Sequence, residues 1–394
     1  MATARDSWVY NSSKTVMSSS MKKTIDFYNE QRIDFANQKS SATKDFNTYC
    51  SNDPKKISWN DSLKNLCAKN QPLSFNETNI ITGIYRPYSK LNLYFDKNFI
   101  QRPYQQTKLF AANLKNIVIC VSGLGGSKNN SIYISKYIPD LNLLDAGTQC
   151  FPLYYYEENN ATQKGLFDNN DEQQFTRRDA ISNFILKRAV AQYGKNVTKE
   201  DIFYYVYGFL HSKEYRETFA NDLKKMLPRL PLVEDVRDFW KFSKAGRQLA
   251  DLHLNYESVP PAPGVIVLHN PLSVKDSVNA LGTDEVKYVD YEVQKMRYPK
   301  KGQTETIIYN SRITIDNIPA KAYEYVVNGK SAIDWIMERY QVTVHKDSGI
   351  KNDPNDWARE HNNPRYILDL LLSVINVSVQ TVDIVEGLPK VSFE

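Results

Sequence analysis

The chain has 394 residues, of which 41% are hydrophobic and 24% charged, and its formal net charge is +5. That length buries a large core and ordinarily divides into two or three domains. The balance is ordinary for a globular protein, and so mild a basicity permits a nucleic-acid partner without diagnosing one. Cys50, Cys67, Cys120 and Cys150 show no CxxC spacing and read as reduced structural thiols of a cytoplasmic protein. Asn76 and Asn196 begin glycosylation patterns, but there is no signal peptide. No apolar run approaches eighteen residues, so membrane insertion is not expected.

Arg5 to Tyr10 (RDSWVY) reads as a strand with no lead-in, which points to an excised fragment. From Ser13 to about Lys39, Met17, Met21, Ile25 and Tyr28 recur at helical spacing. The segment up to about Phe75 is polar and irregular. From Asn79 to Glu157 the runs ITGIYRPY, KLNLYFD, NIVICVS and FPLYYYE have strand length and turn residues between them. Glu158 to Gln174 is rich in Asn, Asp and Gln and reads as a surface loop.

A helix is expected next. Thr176 and Asp179 serve as its capping box, Ile181, Phe184, Ile185 and Tyr193 as its buried stripe, and Gly194 as its C-cap. Thr198 to Asp201 opens another in the same way. Through Tyr256 the pattern is two or three amphipathic helices. Tyr215, Phe219, Leu223, Met226 and Leu227 share one face, Arg216, Lys224, Lys225 and Arg229 lie mostly off it, and Pro228 stops it. Pro260, Pro261, Pro263 and Gly264 mark a break, which divides the chain into a core of residues 1–262 and a smaller part of residues 263–394. Beyond it, VKYVDYEVQKMRY and TETIIYNSRITI read as paired strands with Lys300, Lys301 and Gly302 at the tip. Ala332 to Tyr340 and Pro364 to Val385 read as helical or mostly apolar and should pack back on the core. The fold class is mixed α+β: a core with a curved or mixed sheet flanked by helices, then a helical and hairpin region.

The chemistry-bearing patterns are sparse. An amino-methyltransferase needs an Asp/Asn-Pro-Pro-aromatic turn to hold its target amine. The nearest fragments, His269 to Leu272 and Asn363 to Arg365, lack the second Pro and the aromatic. Asp284 to Lys287 resembles the distal half of a PD-(D/E)xK nuclease, but Pro139-Asp140 is far upstream. The five histidines show no metal-ligand spacing, and His211 reads as structural. Ser122 to Lys128 (SGLGGSK) follows a strand, but it is neither a P-loop nor GxGxxG. A bound nucleotide, a plain tight turn and a loop approaching a phosphate through its amides and Lys128 all remain open for it.

Cationic and aromatic residues fit DNA better. Tyr85, Arg86, Lys90, Tyr94, Lys97 and Arg102 alternate on strand-like segments. Arg forks onto guanine O6 and N7 while Lys and Tyr hold phosphates. A sheet with a solvated basic face explains the same pattern. Ser127, Lys128 and Asn129 in the glycine loop, Arg177 and Arg178 at an expected helix N-terminus, and Arg297, Lys300 and Lys301 at the hairpin complete the DNA-contact candidates. The polar loop from Thr162 to Gln174 is a further source of base-reading side chains.

The wording of Asp201 to Tyr256 is specific. It resembles the C-terminal specificity domain of type ISP restriction–modification enzymes, as do RDSWVY with IDFYNEQ (25–31), GIYRPYSKLNLYFDKNFIQRP (83–103), FPLYYYE, YVVNGKSAIDWIMER (325–339) and NPRYILDLLLSVINV (363–377). Together, in this order, they cover nearly the whole chain. In that family a nuclease, an ATPase, an adenine methyltransferase and a target recognition domain follow one another along one polypeptide. The resemblance implies a module that reads a short asymmetric site in double-stranded DNA and positions the methyltransferase domain. It favours the phosphate role for the glycine loop, since the family carries a similar glycine-and-SK turn. The parent would use S-adenosylmethionine, ATP and Mg²⁺, and this chain none of them, with no catalytic residue of its own. A coupling module without DNA affinity and an unrecognised DNA-modifying domain are the alternatives.

Overall fold

The computed structural model describes residues 1–38, 46–111, 114–159, 175–269 and 290–393. Its N-terminal layer is a long helix, α1 (Lys14–Asn37), on a sheet of β1 (Tyr10–Asn11), β2 (Ile80–Arg86) and β3 (Ser89–Tyr94). The Ser13 hydroxyl accepts from the Val16 amide to start α1, and Met17, Met21, Ile25 and Tyr28 are buried along one face, as their spacing predicts. β3 lies between β1 and β2, antiparallel to both, and β6 (Ile138–Pro139) adds to β2 in parallel. Two expectations change here. RDSWVY is a turn of helix, Asp6–Val9, and only Tyr10 and Asn11 join the sheet. The polar stretch before Phe75 contains α2 (Asp61–Ala68), which Asn60 caps by accepting from the Leu63 amide.

A second sheet divides the interior. β4 (Val118–Val121) runs between β5 (Ile132–Ser135) and β7 (Gln149–Pro152), antiparallel to both. Every residue of β4 and β5 is buried. Side chains alternate across a strand, so Val118, Cys120 and Tyr133 enter one apolar cluster while Ile119, Val121, Ile132 and Ile134 enter another. Cys120 and Cys150 are opposite one another across β4 and β7 with Sγ atoms 4.0 Å apart, and all four cysteines are free.

The cluster on the second side is built with α3 (Asn183–Tyr193), α4 (Lys199–Leu210) and α5 (Val236–Leu254). The capping box expected at Thr198 and Asp201 opens α4. The one expected at Thr176 and Asp179 does not form. Those residues lie on β9 (Phe175–Asp179), which pairs with β8 (Tyr154–Glu158), and Ser182 caps α3 instead. Phe184, assigned to the buried stripe of α3, is 66% exposed. After α4 the helix Lys213–Thr218 ends early. Tyr215 and Leu223 are buried as expected, but Met226 is exposed. Residues 160–174, including nearly all of the predicted polar loop, lie outside the described residues.

The cluster on the first side forms around α7 (Tyr366–Glu386), with α6 (Ala332–Arg339) and the sheet of β10 (Ile266–His269), β12 (Ile313–Asp316) and β11 (Ile307–Ile308) nearby. It unites residues from both sides of the Pro-rich segment 260–264, from Ile84 to Val382. TETIIYNSRITI pairs on itself through β11 and β12, and VKYVDYEVQKMRY joins it by the single bridge Arg297–Ile308 among the described residues. Residues 286–289 of the latter fall outside them. The tip is a turn as predicted, with the Gln303 amide donating to the Lys300 carbonyl and Gly302 at φ +86°. By length and composition α7 is apolar enough to cross a membrane, although polar residues interrupt its apolar run in the sequence. Here most of it is buried against other protein elements, which accounts for an apolar character all round.

Two histidines lie inside. His253 Nδ1 meets the Tyr207 hydroxyl at 2.6 Å and Nε2 meets Thr381 Oγ1 at 2.8 Å, while His211 Nδ1 meets the Tyr207 carbonyl at 2.8 Å. Burial holds His211 down to about 4 and His253 well below its ordinary value. Both folded values are depressed, so the unfolded chain binds more protons. Stability present above the ordinary imidazole value of about 6.5 is therefore lost as the pH falls toward 4. Urea unfolding between pH 7.5 and 4.5 should show this loss, and His253→Gln should reduce its slope.

Candidate nucleic-acid interface

The strongest local geometry is at the glycine loop that leaves β4. A Cβ on Gly123 would stand 1.9 Å from the Ala146 carbonyl oxygen, so only glycine lets these two backbones meet. The Gly123 amide donates to the Asp145 carbonyl at 2.9 Å, and the Gly125 amide to the Lys224 carbonyl at 2.8 Å. The Lys128 amide and the Ser127 hydroxyl both donate to Asp145 Oδ2, at 2.9 and 3.3 Å. The Lys128 amide holds the Asp145 carboxyl below its usual range. This carboxylate occupies the place where the phosphate reading puts a ligand, so the loop does not offer that amide to DNA. What it leaves accessible is the Lys128 side chain, exposed Ser127 and Asn129, and Leu124, which is 52% exposed at the tip.

A second turn is tied to the same place. Asn328 and Gly329 join β13 (Val326–Val327) to β14 (Lys330–Ser331), both at positive φ, as in the Asn-Gly hairpin turn. Asn328 Oδ1 accepts from the Asp145 amide, the Asn328 amide donates to Ser131 Oγ, and the Lys128 side chain lies over Gly329. Chain segments more than 180 residues apart thus form one cross-tied unit. The NG dipeptide was a legible signal for this turn, whereas Asp145 and Lys224 had none.

The predicted contacts on β2 and β3 are largely occupied within the fold. Arg86 pairs with Asp140 at 2.8 Å, with its guanidinium 3.9 Å from the Tyr85 ring centroid. The Tyr85 hydroxyl donates to Asp6 at 3.0 Å, and burial pushes it up to about 12. Lys90 pairs with Glu257. Tyr94 is fully buried, stacked on Phe75 and accepting from the Asn76 amide. Tyr85, Arg86, Lys90 and Tyr94 are thus half-buried or buried with partners inside the fold, whereas Lys97 and Arg102 of the same alternation are exposed. Arg177 and Arg178 are corrected from a helix N-terminus to β9. There both are exposed, Arg177 over the Tyr154 ring at 4.4 Å and Arg178 paired with Glu157 at 3.0 Å. Arg102, Lys300 and Lys301 are exposed, and no described residue pairs with their side chains. Among the described residues no group of three or more His, Cys, Asp or Glu side chains is placed to hold a metal ion.

The comparisons with known proteins agree with this architecture. The ATP-dependent Type ISP restriction-modification enzyme LlaBIII bound to DNA contains a region 38% identical, with a TM-score of 0.83, over 100% of this chain and 23% of its own. A nuclease-deletion mutant of the Type ISP restriction-modification enzyme LlaGI, in complex with a DNA substrate mimic, is 37% identical with a TM-score of 0.82, over 100% of this chain and 33% of its own. The DrdV–DNA complex is 27% identical with a TM-score of 0.80, over 100% and 36%. No curated protein matches the sequence. This chain therefore spans only 23% of the first enzyme and 33% of the second. Residues 1–370 match the Type ISP C-terminal specificity domain, and the chain belongs to that family.

Proposed function

We propose that this chain reads a short asymmetric sequence in double-stranded DNA and positions the methyltransferase domain of the same polypeptide over an adenine. The observation that carries this reading is full-length similarity, above 35% identity, to two specificity regions whose enzymes were captured with DNA or a DNA mimic. In the parent enzyme, S-adenosylmethionine, ATP and Mg²⁺ serve the neighbouring domains. This chain contributes recognition without a cofactor or a catalytic residue of its own, and works in the cytoplasm. Phosphate contacts set register and a few base-edge contacts set sequence. The exposed cations Arg102, Lys300 and Lys301 and the half-buried Lys128 suit the first task, and Arg177 and Arg178 on β9 suit either.

The test is a double substitution at the hairpin tip, Lys300→Ala with Lys301→Ala. Titrations of specific and nonspecific duplexes across a salt series should show both affinities falling together. The salt slope should drop by about 1 for each lysine–phosphate pairing removed. Weakening confined to one sequence would make these lysines base readers, and unchanged binding would remove the tip from the interface.

A further inference from the structure

Directly behind the glycine loop lies a cavity of about 490 Å³, within the range of small-molecule sites. Two polar groups on its lining, Arg216 and Asn130, have hydrogen-bonding capacity that the fold leaves unused. Arg216, on the helix Lys213–Thr218, is removed from water enough to lower its pKa. Its side chain makes one hydrogen bond, Nη2 to the Asn130 carbonyl at 3.3 Å, and no described carboxylate pairs with it. Asn130 is 7% exposed, and neither its Oδ1 nor its Nδ2 has a partner. Buried polar groups are ordinarily hydrogen-bonded, and a half-buried guanidinium with a single hydrogen bond keeps donors free for a ligand. Both come from different segments and line the same space, with Ile132, Leu223 and Val382 as apolar walls.

Charge decides what fits. Glu217, Glu324 and Glu386 also line the cavity, against the cations Lys213 and Arg216. Three carboxylates disfavour an anion such as phosphate. They suit a neutral planar group with acceptors on one edge and donors on another. Guanine has this form: O6 and N7 accept a bidentate arginine, and its N1 and N2 hydrogens need an acceptor such as Glu324. His211 on the same lining uses Nδ1 on the Tyr207 carbonyl and stays neutral, which leaves Nε2 as another acceptor. Asn129 and Asn130 continue directly from Lys128, so a nucleotide held at the loop would be close at hand.

We propose that this cavity is a nucleobase pocket that takes an unstacked guanine, with Arg216 forking onto its O6 and N7. The setting rests on the DNA-reading proposal, but the chemistry does not. The test is calorimetric titration of the whole chain with dGMP, dAMP, dCMP, TMP and inorganic phosphate. The expected result is dGMP binding at least tenfold tighter than the other four. Arg216→Ala and Arg216→Lys should each weaken it tenfold or more, the latter because a lone ammonium cannot fork. Equal binding of all nucleotides, competition by phosphate at equal strength, or no binding of any nucleotide would each overturn the pocket. The ligand comparison on the unsubstituted chain decides this even where a variant misfolds. A chain that binds duplex DNA but no nucleotide loses the pocket and keeps the recognition role.

Discussion

Arg86→Ala should destabilise the fold by about 3–5 kcal/mol, the usual cost of stripping one partner from a buried ion pair. Asp140 is 2% exposed and has Arg86 as its ion-pair partner at 2.8 Å. Without the guanidinium its charge stays buried, and Tyr85 loses the cation on its face. A pH dependence separates this cause from poorer packing. Burial already holds the Asp140 carboxyl above its ordinary value, with Arg86 pulling it down. Because the folded value is the higher one, the folded chain binds the proton more tightly, and stability from this group grows as the pH falls toward the ordinary carboxyl value. Removing Arg86 widens that window upward. The deficit of the variant should therefore shrink on acidification, and Asp140→Asn should restore part of it. Urea unfolding of the three proteins between pH 5 and 8 checks this. A deficit below 1 kcal/mol, or one independent of pH, would contradict the pair's structural role.

Gly246→Ala should be as damaging for a different reason. A Cβ there would stand 1.8 Å from the Tyr204 carbonyl oxygen, and one on Gly208 would stand 2.2 Å from the Phe242 carbonyl oxygen. α4 and α5 thus touch backbone to backbone, and their contact has no flexible side chain to yield. Overpacking commonly costs 1–3 kcal/mol, and where backbone must move we expect about 3 or more. Both helices bury their aromatic faces in the cluster behind β4, through Tyr205, Phe209, Phe239 and Phe242. The change should lower Tm by several degrees and weaken DNA binding only as far as it unfolds the chain. A Tm within a degree of the parent's would mean the helices part without cost.

What the sequence made legible follows its periodicities. The spacing of Met17, Met21, Ile25 and Tyr28 locates α1 and its buried face, and Thr198 with Asp201 marks a true helix start. Thr176 and Asp179 carry the same pattern on a strand. Capping chemistry is local, whereas pairing with β8, fixed by partners twenty residues away, decides that segment. The site was harder to read. Tyr85, Arg86, Lys90 and Tyr94 look like a DNA-facing stripe, and what occupies them is Asp6, Asp140, Glu257 and Phe75, brought in by tertiary contacts. The glycine loop was recognisable from its composition. That Asp145 fills it, and that Arg216 and Asn130 meet behind it, depends on elements no local pattern joins.

Whether this chain itself reads DNA sequence is tested most directly by selection from a random duplex library, at low and near-physiological salt, followed by sequencing of the retained DNA. A recognition domain of the kind proposed enriches one short asymmetric motif, and the enrichment persists at the higher salt. Failure to retain any duplex even at low salt would contradict that role and leave the chain a coupling module between other domains.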